Sequence, residues 1–203
     1  MKWKNKGHEL DVFAAPLLGR KKIYIYGAGN WGRYAFEKMK FMDCVAGFID
    51  GSRKKQEEGF CGLPVLSLTQ AKDMPKDFVV VIAASIGYGV NSFPTAASTI
   101  YKRLMFAGFR PHEDFYFLEE FIDFYLPIYA LYVHGKLVMR HLPISVTERC
   151  SLNCEKCNHS VPFIKRPQNF TVEEFCADID LFFKYWDYVF YIVLVGGELF
   201  CHP

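Results

Sequence analysis

Three cysteines in one short stretch, Cys150, Cys154 and Cys157, are the residues of this chain whose type and spacing best suit chemistry. They read C-S-L-N-C-E-K-C, a C-x3-C-x2-C spacing, directly after an apolar strand from Leu142 to Thr147. Three thiolates this close together can hold three corners of a cubic iron–sulfur cluster. A closed site needs a fourth cysteine, so one iron would stay open to a small-molecule ligand, as in a catalytic cluster. Zinc is the competing occupant, since His159, Cys201 and His202 could supply a fourth ligand. Structural zinc more often uses paired C-x2-C knuckles, and His159 reads as a loop residue beside the cysteines. Cys176 falls on an apolar helix stripe and reads as core, and isolated Cys44 and Cys61 read as packing residues.

A second chemical pattern lies near the start. Gly27, Gly29 and Gly32 form G-x-G-x-x-G between a strand and a helix, the context that gives the pattern meaning. The first glycine would allow a tight turn, the second the approach of a pyrophosphate, and the third close packing of helix on strand. Free amides at the helix start favour an anion. Asp50 closes the next strand, where a ribose hydroxyl could be bound. A glycine turn kept for packing is the alternative. Ala84, Ser85, Gly87 and Gly89 follow a later strand and either line the same pocket or form a simple turn.

The elements that must position these groups alternate. Strands are expected at 23–26, 45–49, 63–68, 78–84 and 115–118. Helices are expected from the glycine loop to about Phe41, over 98–107, and over 119–132. Phe78 to Ala84 is wholly apolar, as in a buried parallel strand. Gly51 to Gly59 reads as a polar loop. In the first helix Trp31, Tyr34, Ala35, Met39 and Met42 fall on one face at helical spacing. A second region begins near Lys136. In it Thr171 and Glu174 form a capping box, followed by a stripe of Val172, Phe175, Cys176, Ile179, Phe182, Phe183 and Trp186. Strand 189–195 then ends in Gly196, Gly197 and Glu198. The reading is α/β: a leader over 1–20, a nucleotide-binding domain over 21–135, and a β-α-β unit over 136–203.

Composition narrows the classes. The chain has 203 residues, 51% of them apolar and 17% aromatic, so a packed core is expected. A net charge of +2 gives no reason to expect nucleic acid or an anionic membrane surface. No apolar run reaches the roughly 18 residues of a membrane helix, and no secretion signal is visible. Seven cysteines without such a signal point to a reducing, cytoplasmic setting and to metal or thiol chemistry.

Two resemblances sharpen these expectations. Ile25 to Gly29, Gly47 to Gly51, Gly62 to Val65 and Val79 to Ala83 resemble the nucleotide-sugar-binding, Rossmann-like domain at the front of bacterial sugar acyltransferases. That likeness implies a nucleotide-sugar or another dinucleotide-like ligand such as NAD, held by Gly27, Gly29, Gly32 and Asp50. It does not imply hydride transfer. Thr147 to Cys157, together with Val195-Gly196-Gly197-Glu198, resembles the radical S-adenosylmethionine superfamily. Lys156 departs from that family's pattern, which usually has a hydrophobic residue before the last cysteine.

The second resemblance implies a [4Fe-4S] cluster on Cys150, Cys154 and Cys157, with S-adenosylmethionine on its open iron. Gly196, Gly197 and Glu198 would contact the methionine part of that cofactor, Glu198 accepting from its ammonium group. One electron, from a donor such as flavodoxin or ferredoxin, would cleave the sulfonium. The 5′-deoxyadenosyl radical formed would take hydrogen from a small-molecule or peptide substrate. The expected fold is a Rossmann-like parallel sheet followed by the first β-α-β unit of a partial (β/α)6 barrel. A barrel unit takes about 30 residues, so six need roughly 180. Only about 60 follow Lys136, and the chain is therefore expected to be a truncated frame or fragment, inactive alone, with apolar surface left on its last unit. Two alternatives remain open: a non-catalytic nucleotide-sugar or NAD-binding protein with a structural zinc site, and an NAD-dependent sugar oxidoreductase.

Overall fold

The computed structural model describes residues 8–84 and 95–198. The chain divides into two compact units, 1–136 and 137–203.

The first unit is α/β, built on five parallel strands. They are β1 (Lys22–Tyr26), β2 (Val45–Ile49), β3 (Val65–Leu66), β4 (Phe78–Ile82) and β5 (Phe115–Phe117), in the order β3-β2-β1-β4-β5. The direction of winding reverses between β1 and β4, which leaves a crevice at their carboxyl ends. Strand side chains alternate between faces. Tyr24, Tyr26, Val80 and Ile82 pack with Ala71 of α4 (Leu68–Asp73) and with Ala97 and Leu104 of α5 (Ala96–Phe106). Ile23, Ile25, Val79 and Val81 are buried on the other face. There α2 (Asn30–Met39) sets Phe36 against Phe48 of β2, and Tyr116 of β5 meets Phe121.

After β5 the chain runs through α6 (Leu118–Glu120), a π-helical turn (Phe121–Tyr125) and α7 (Leu126–His134), which ends on Gly135 at φ +64°. A short α1 (Asp11–Ala14) precedes the sheet. Arg20 ties this entry segment to the sheet. It donates to the Phe78 carbonyl at 3.1 Å, to the Pro16 carbonyl at 2.8 Å and to Asp114 Oδ1 at 2.6 Å. Among the described residues no helix is long and apolar enough to cross a membrane.

Several expectations need correction. Residues 53–58 form a helix, α3 (Arg53–Glu58), where a loop was expected; it buries none of its residues, so no apolar periodicity announces it. The third strand shrinks to two residues, and α4 follows it, opened by a Ser67–Gln70 capping box. On α2 the buried positions are Gly32, Ala35 and Met39. Trp31 and Tyr34 lie outside that stripe, 46% and 43% exposed, and pack edge-to-face with each other. Gly32 has to face the sheet, because a Cβ there would overlap the Gly27 carbonyl oxygen, and this turns the two aromatics outward.

The second unit contains β6 (Val138–Thr147), α8 (Val172–Phe182) and β7 (Tyr188–Gly196), with β6 and β7 parallel and paired over most of their length. The Thr171–Glu174 capping box is present: Glu174 N–H donates to Thr171 Oγ1 at 3.2 Å and Thr171 N–H to Glu174 Oε2 at 2.8 Å. Phe175, Ile179, Phe182 and Trp186 are half-buried, whereas Val172, Cys176 and Phe183 are exposed. Cys176 is therefore not a core residue; among the described residues the sheet under α8 has two strands and covers a narrower stripe than the sequence offers. On β7, Tyr191, Ile192, Val193 and Leu194 are each 39–47% exposed, so both faces of an apolar strand carry open surface.

Candidate functional sites

In the first unit the loop from β1 to α2 meets the end of β2. Gly27 adopts φ +113°, and a Cβ there would stand 2.6 Å from the Ala83 carbonyl oxygen. Gly32 is fixed by helix–loop packing, as above. Gly29 differs: its φ is −135°, and a Cβ would meet nothing within 4 Å. Two of the three glycines thus have an internal steric reason, and the middle one faces open space at the start of α2. Among the described residues no side chain caps that helix, so its first amides are available to an anion.

Asp50 holds this loop. Its Oδ2 accepts from Ala28 N–H at 2.9 Å and from Lys55 Nζ at 3.2 Å, and its Oδ1 accepts from Ser52 N–H at 2.9 Å. A carboxylate offers about four acceptor positions, so roughly one remains for a ligand hydroxyl. Burial acts to raise the Asp50 pKa, but the Ser52 and Ala28 amides and the Lys55 ammonium outweigh it and hold the carboxyl below its ordinary range. Lys55, on α3, is the site residue that the sequence reading missed; with α3 read as loop, nothing aimed it at Asp50. Ala84 is half-buried two residues beyond β4, while Ser85, Gly87 and Gly89 lie outside the described residues.

In the second unit the cysteine loop leaves the carboxyl end of β6. Cys150 and Cys157 are half-buried, Cys154 is exposed, and all three are free thiols. Leu152 N–H points at Cys150 Sγ at 3.4 Å. Arg149, Cys150, Leu152, Asn153, Val161 and Pro162 help line an open cleft of about 710 Å³. Among the described residues no three histidine, cysteine or acidic side chains stand close enough to hold a metal ion. The three thiols share one loop but do not converge. His159 is exposed, and Cys201 and His202 lie outside the described residues. The donor set itself, three thiols on one short excursion, suits an iron–sulfur cluster.

The Gly-Gly-Glu segment runs directly beside the entry to this loop. Gly197 N–H donates to the Thr147 carbonyl and Glu198 N–H to the Arg149 carbonyl, both at 2.8 Å. Gly196 has φ +140°, and a Cβ on it would overlap the Thr147 carbonyl oxygen; one on Gly197 would overlap that of Arg149. The close approach that these glycines permit is thus to the backbone leading to Cys150. The structure brings the two motifs together, with Glu198 one hydrogen bond away from the residue preceding Cys150.

Outside both sites Cys44 takes the packing role expected of it, while the buried polar atoms of Tyr129 and His134 escaped the sequence reading. Cys44 is buried near Tyr129, and burial pushes its thiol up to about 12. His134 packs edge-to-face on Tyr129, its Nε2 buried with no hydrogen-bond partner among the described residues. Comparison of the chain with protein-family models, with curated proteins and with solved structures finds no match.

Proposed function

We propose that the second unit is the opening of a radical S-adenosylmethionine core and that the first is a Rossmann-like nucleotide-binding domain. The observation that carries this reading is the adjacency of Gly196-Gly197-Glu198 to the entry of the cysteine loop. Two motifs well separated in sequence, 150–157 and 196–198, meet at the same end of the same parallel strand pair, and ligand sites of parallel α/β units gather at that end.

On this reading Cys150, Cys154 and Cys157 would ligate a [4Fe-4S] cluster, with the 150–157 segment closing to bring exposed Cys154 to half-buried Cys150 and Cys157. When bound, the cluster and S-adenosylmethionine supply one-electron cleavage of a sulfonium and a carbon radical able to take a substrate hydrogen atom. Glu198, on the backbone beside Arg149, accepts from the ammonium group of the cofactor. The cleft along Arg149, Cys150 and Leu152 gives that cofactor room. The β6–α8–β7 unit would then be the first of a (β/α)6 barrel, whose next strand would pair at the free edge of β7 and whose helices and interior side chains would cover its exposed faces. In the first unit Gly29 and the uncapped start of α2 receive a nucleotide pyrophosphate, and the remaining acceptor position of Asp50 takes a ribose hydroxyl.

The test is low-temperature electron paramagnetic resonance of the anaerobically reconstituted, reduced chain with and without S-adenosylmethionine. A reduced-cluster signal that changes on addition supports an open iron. A signal indifferent to the cofactor overturns the radical reading. Bound zinc without sulfide would instead support a structural metal. Titration with a UDP-sugar and with NAD, followed calorimetrically, tests the first unit: heat from either identifies the ligand class, and none from both removes the nucleotide assignment.

A further inference from the structure

Residues 148–171 join β6 to α8 with only one short helical turn, Val161–Phe163, among them. A connection this long inside a compact unit has to be pinned or it stays open. Its neck is pinned at Thr147, one of two polar residues buried in the described structure, with 0% exposure. The Thr147 hydroxyl has two partners: Oγ1 donates to Asn169 Oδ1 at 2.6 Å and accepts from Arg149 N–H at 3.0 Å. Its carbonyl accepts from Gly197 N–H. Around it, Glu148 N–H donates to the Gln168 carbonyl at 2.8 Å, Phe170 N–H to the Val146 carbonyl at 3.1 Å, and Gln168 N–H to Glu148 Oε2 at 3.0 Å. One side chain therefore joins the loop's entry to its exit, beside the Gly-Gly-Glu segment, three residues before Cys150.

We propose that Thr147 and Asn169 are positioning residues, a latch that sets the entry of the cysteine loop so that Cys150 is presented for ligation. The hydroxyl is the working group because it donates and accepts at once. Valine has the same shape and can do neither. Serine retains both functions. The latch rests on the cluster reading given above, but its geometry exists in the metal-free chain and can be tested there.

The experiment compares the full chain with Thr147→Val, Thr147→Ser and Asn169→Ala. Amide hydrogen exchange is followed on the metal-free proteins, and after anaerobic reconstitution the rate of iron release to a chelator is measured. In the metal-free state Glu148, Arg149 and Gln168 amides should exchange about tenfold faster in Thr147→Val and Asn169→Ala, the effect of losing one or two hydrogen bonds from a pinned state. Thr147→Ser should exchange like wild type. In the loaded state the first two variants should release iron about tenfold faster, with Thr147→Ser restoring retention and the thermal midpoint of the metal-free chain little changed. Unchanged exchange in both loss variants overturns the latch. So does wild-type iron retention in Thr147→Val when wild type itself loads. A wild-type chain that takes up no iron and sulfide defeats the cluster reading instead, and with it the ligand role of the latch. Should Thr147→Val fail to fold, Asn169→Ala and Thr147→Ser still decide the outcome.

Discussion

Replacing Asp114 by alanine should remove a large part of the stability of the first unit. Asp114 is 5% exposed, and the side chain of Arg20 is 11% exposed. Asp114 Oδ1 accepts from Arg20 at 2.6 Å and Oδ2 from Arg110 N–H at 2.7 Å. Removing one partner of a buried pair leaves the other charge unpaired, at a cost of about 3–5 kcal/mol. Whole domains have only about 5–15 kcal/mol. At about 2–4 °C per kcal/mol the midpoint should fall by roughly 6–20 °C. Burial acts to raise the Asp114 pKa, but the Arg110 amide and the Arg20 guanidinium outweigh it and lower the pKa. The contribution is therefore fully present above the unfolded carboxyl's ordinary range and is lost as pH falls through the depressed folded value. The assay is urea denaturation of wild type, Asp114→Ala, Arg20→Met and the double variant at pH 7. The double variant should be less destabilised than the two single losses summed. A loss below about 1 kcal/mol for Asp114→Ala, the range of exposed pairs, would refute the claim that this pair fastens the entry segment to β4 and β5.

Further expectations follow from the two sites. Gly29→Ala should leave stability within about 1 kcal/mol of wild type, since its Cβ meets no protein atom, and should abolish the nucleotide binding proposed for the first unit, read by calorimetry. Gly27→Ala, strained at φ +113° and 2.6 Å from a carbonyl, should instead cost about 1–3 kcal/mol in denaturation. Gly197→Ala should loosen the pairing of 197–198 with Thr147 and Arg149, at about 1–3 kcal/mol, read as faster amide exchange at those positions. Burial first, and Lys136 second, lower the pKa of His134. The unfolded chain therefore takes up a proton near pH 6.5 that the folded one resists, and stability falls as pH drops below that value. His134→Phe should show a smaller loss between pH 7 and 5.5 in the same denaturation assay.

The sheet of the first unit was legible because its strands are short apolar runs. Phe78 to Ile82 is buried throughout, as are Gly47 to Ile49 at the end of β2 after half-buried Val45 and Ala46, and the sequence shows that as uninterrupted hydrophobicity. Helix α3 was not legible because it buries nothing. Helix α4 carried a readable signal, serine three residues before glutamine, that was passed over. The aromatics of α2 misled because helical spacing alone does not say which of two apolar stripes faces the sheet; the overlap a Cβ would make at Gly32 decides it. At the sites, residue types were visible and partners were not. Asp50 could be named, but not its engagement by Ala28, Ser52 and Lys55. Thr147 and Asn169 stand 22 positions apart, and no local pattern links them.

The most direct test of the central claim is the iron and acid-labile sulfide content of the full chain after anaerobic reconstitution, measured beside Cys150→Ala, Cys154→Ala and Cys157→Ala. About four iron and four sulfide per chain, lost in each variant, is the predicted result. Tightly bound zinc without sulfide, or iron retained after all three substitutions, would contradict it.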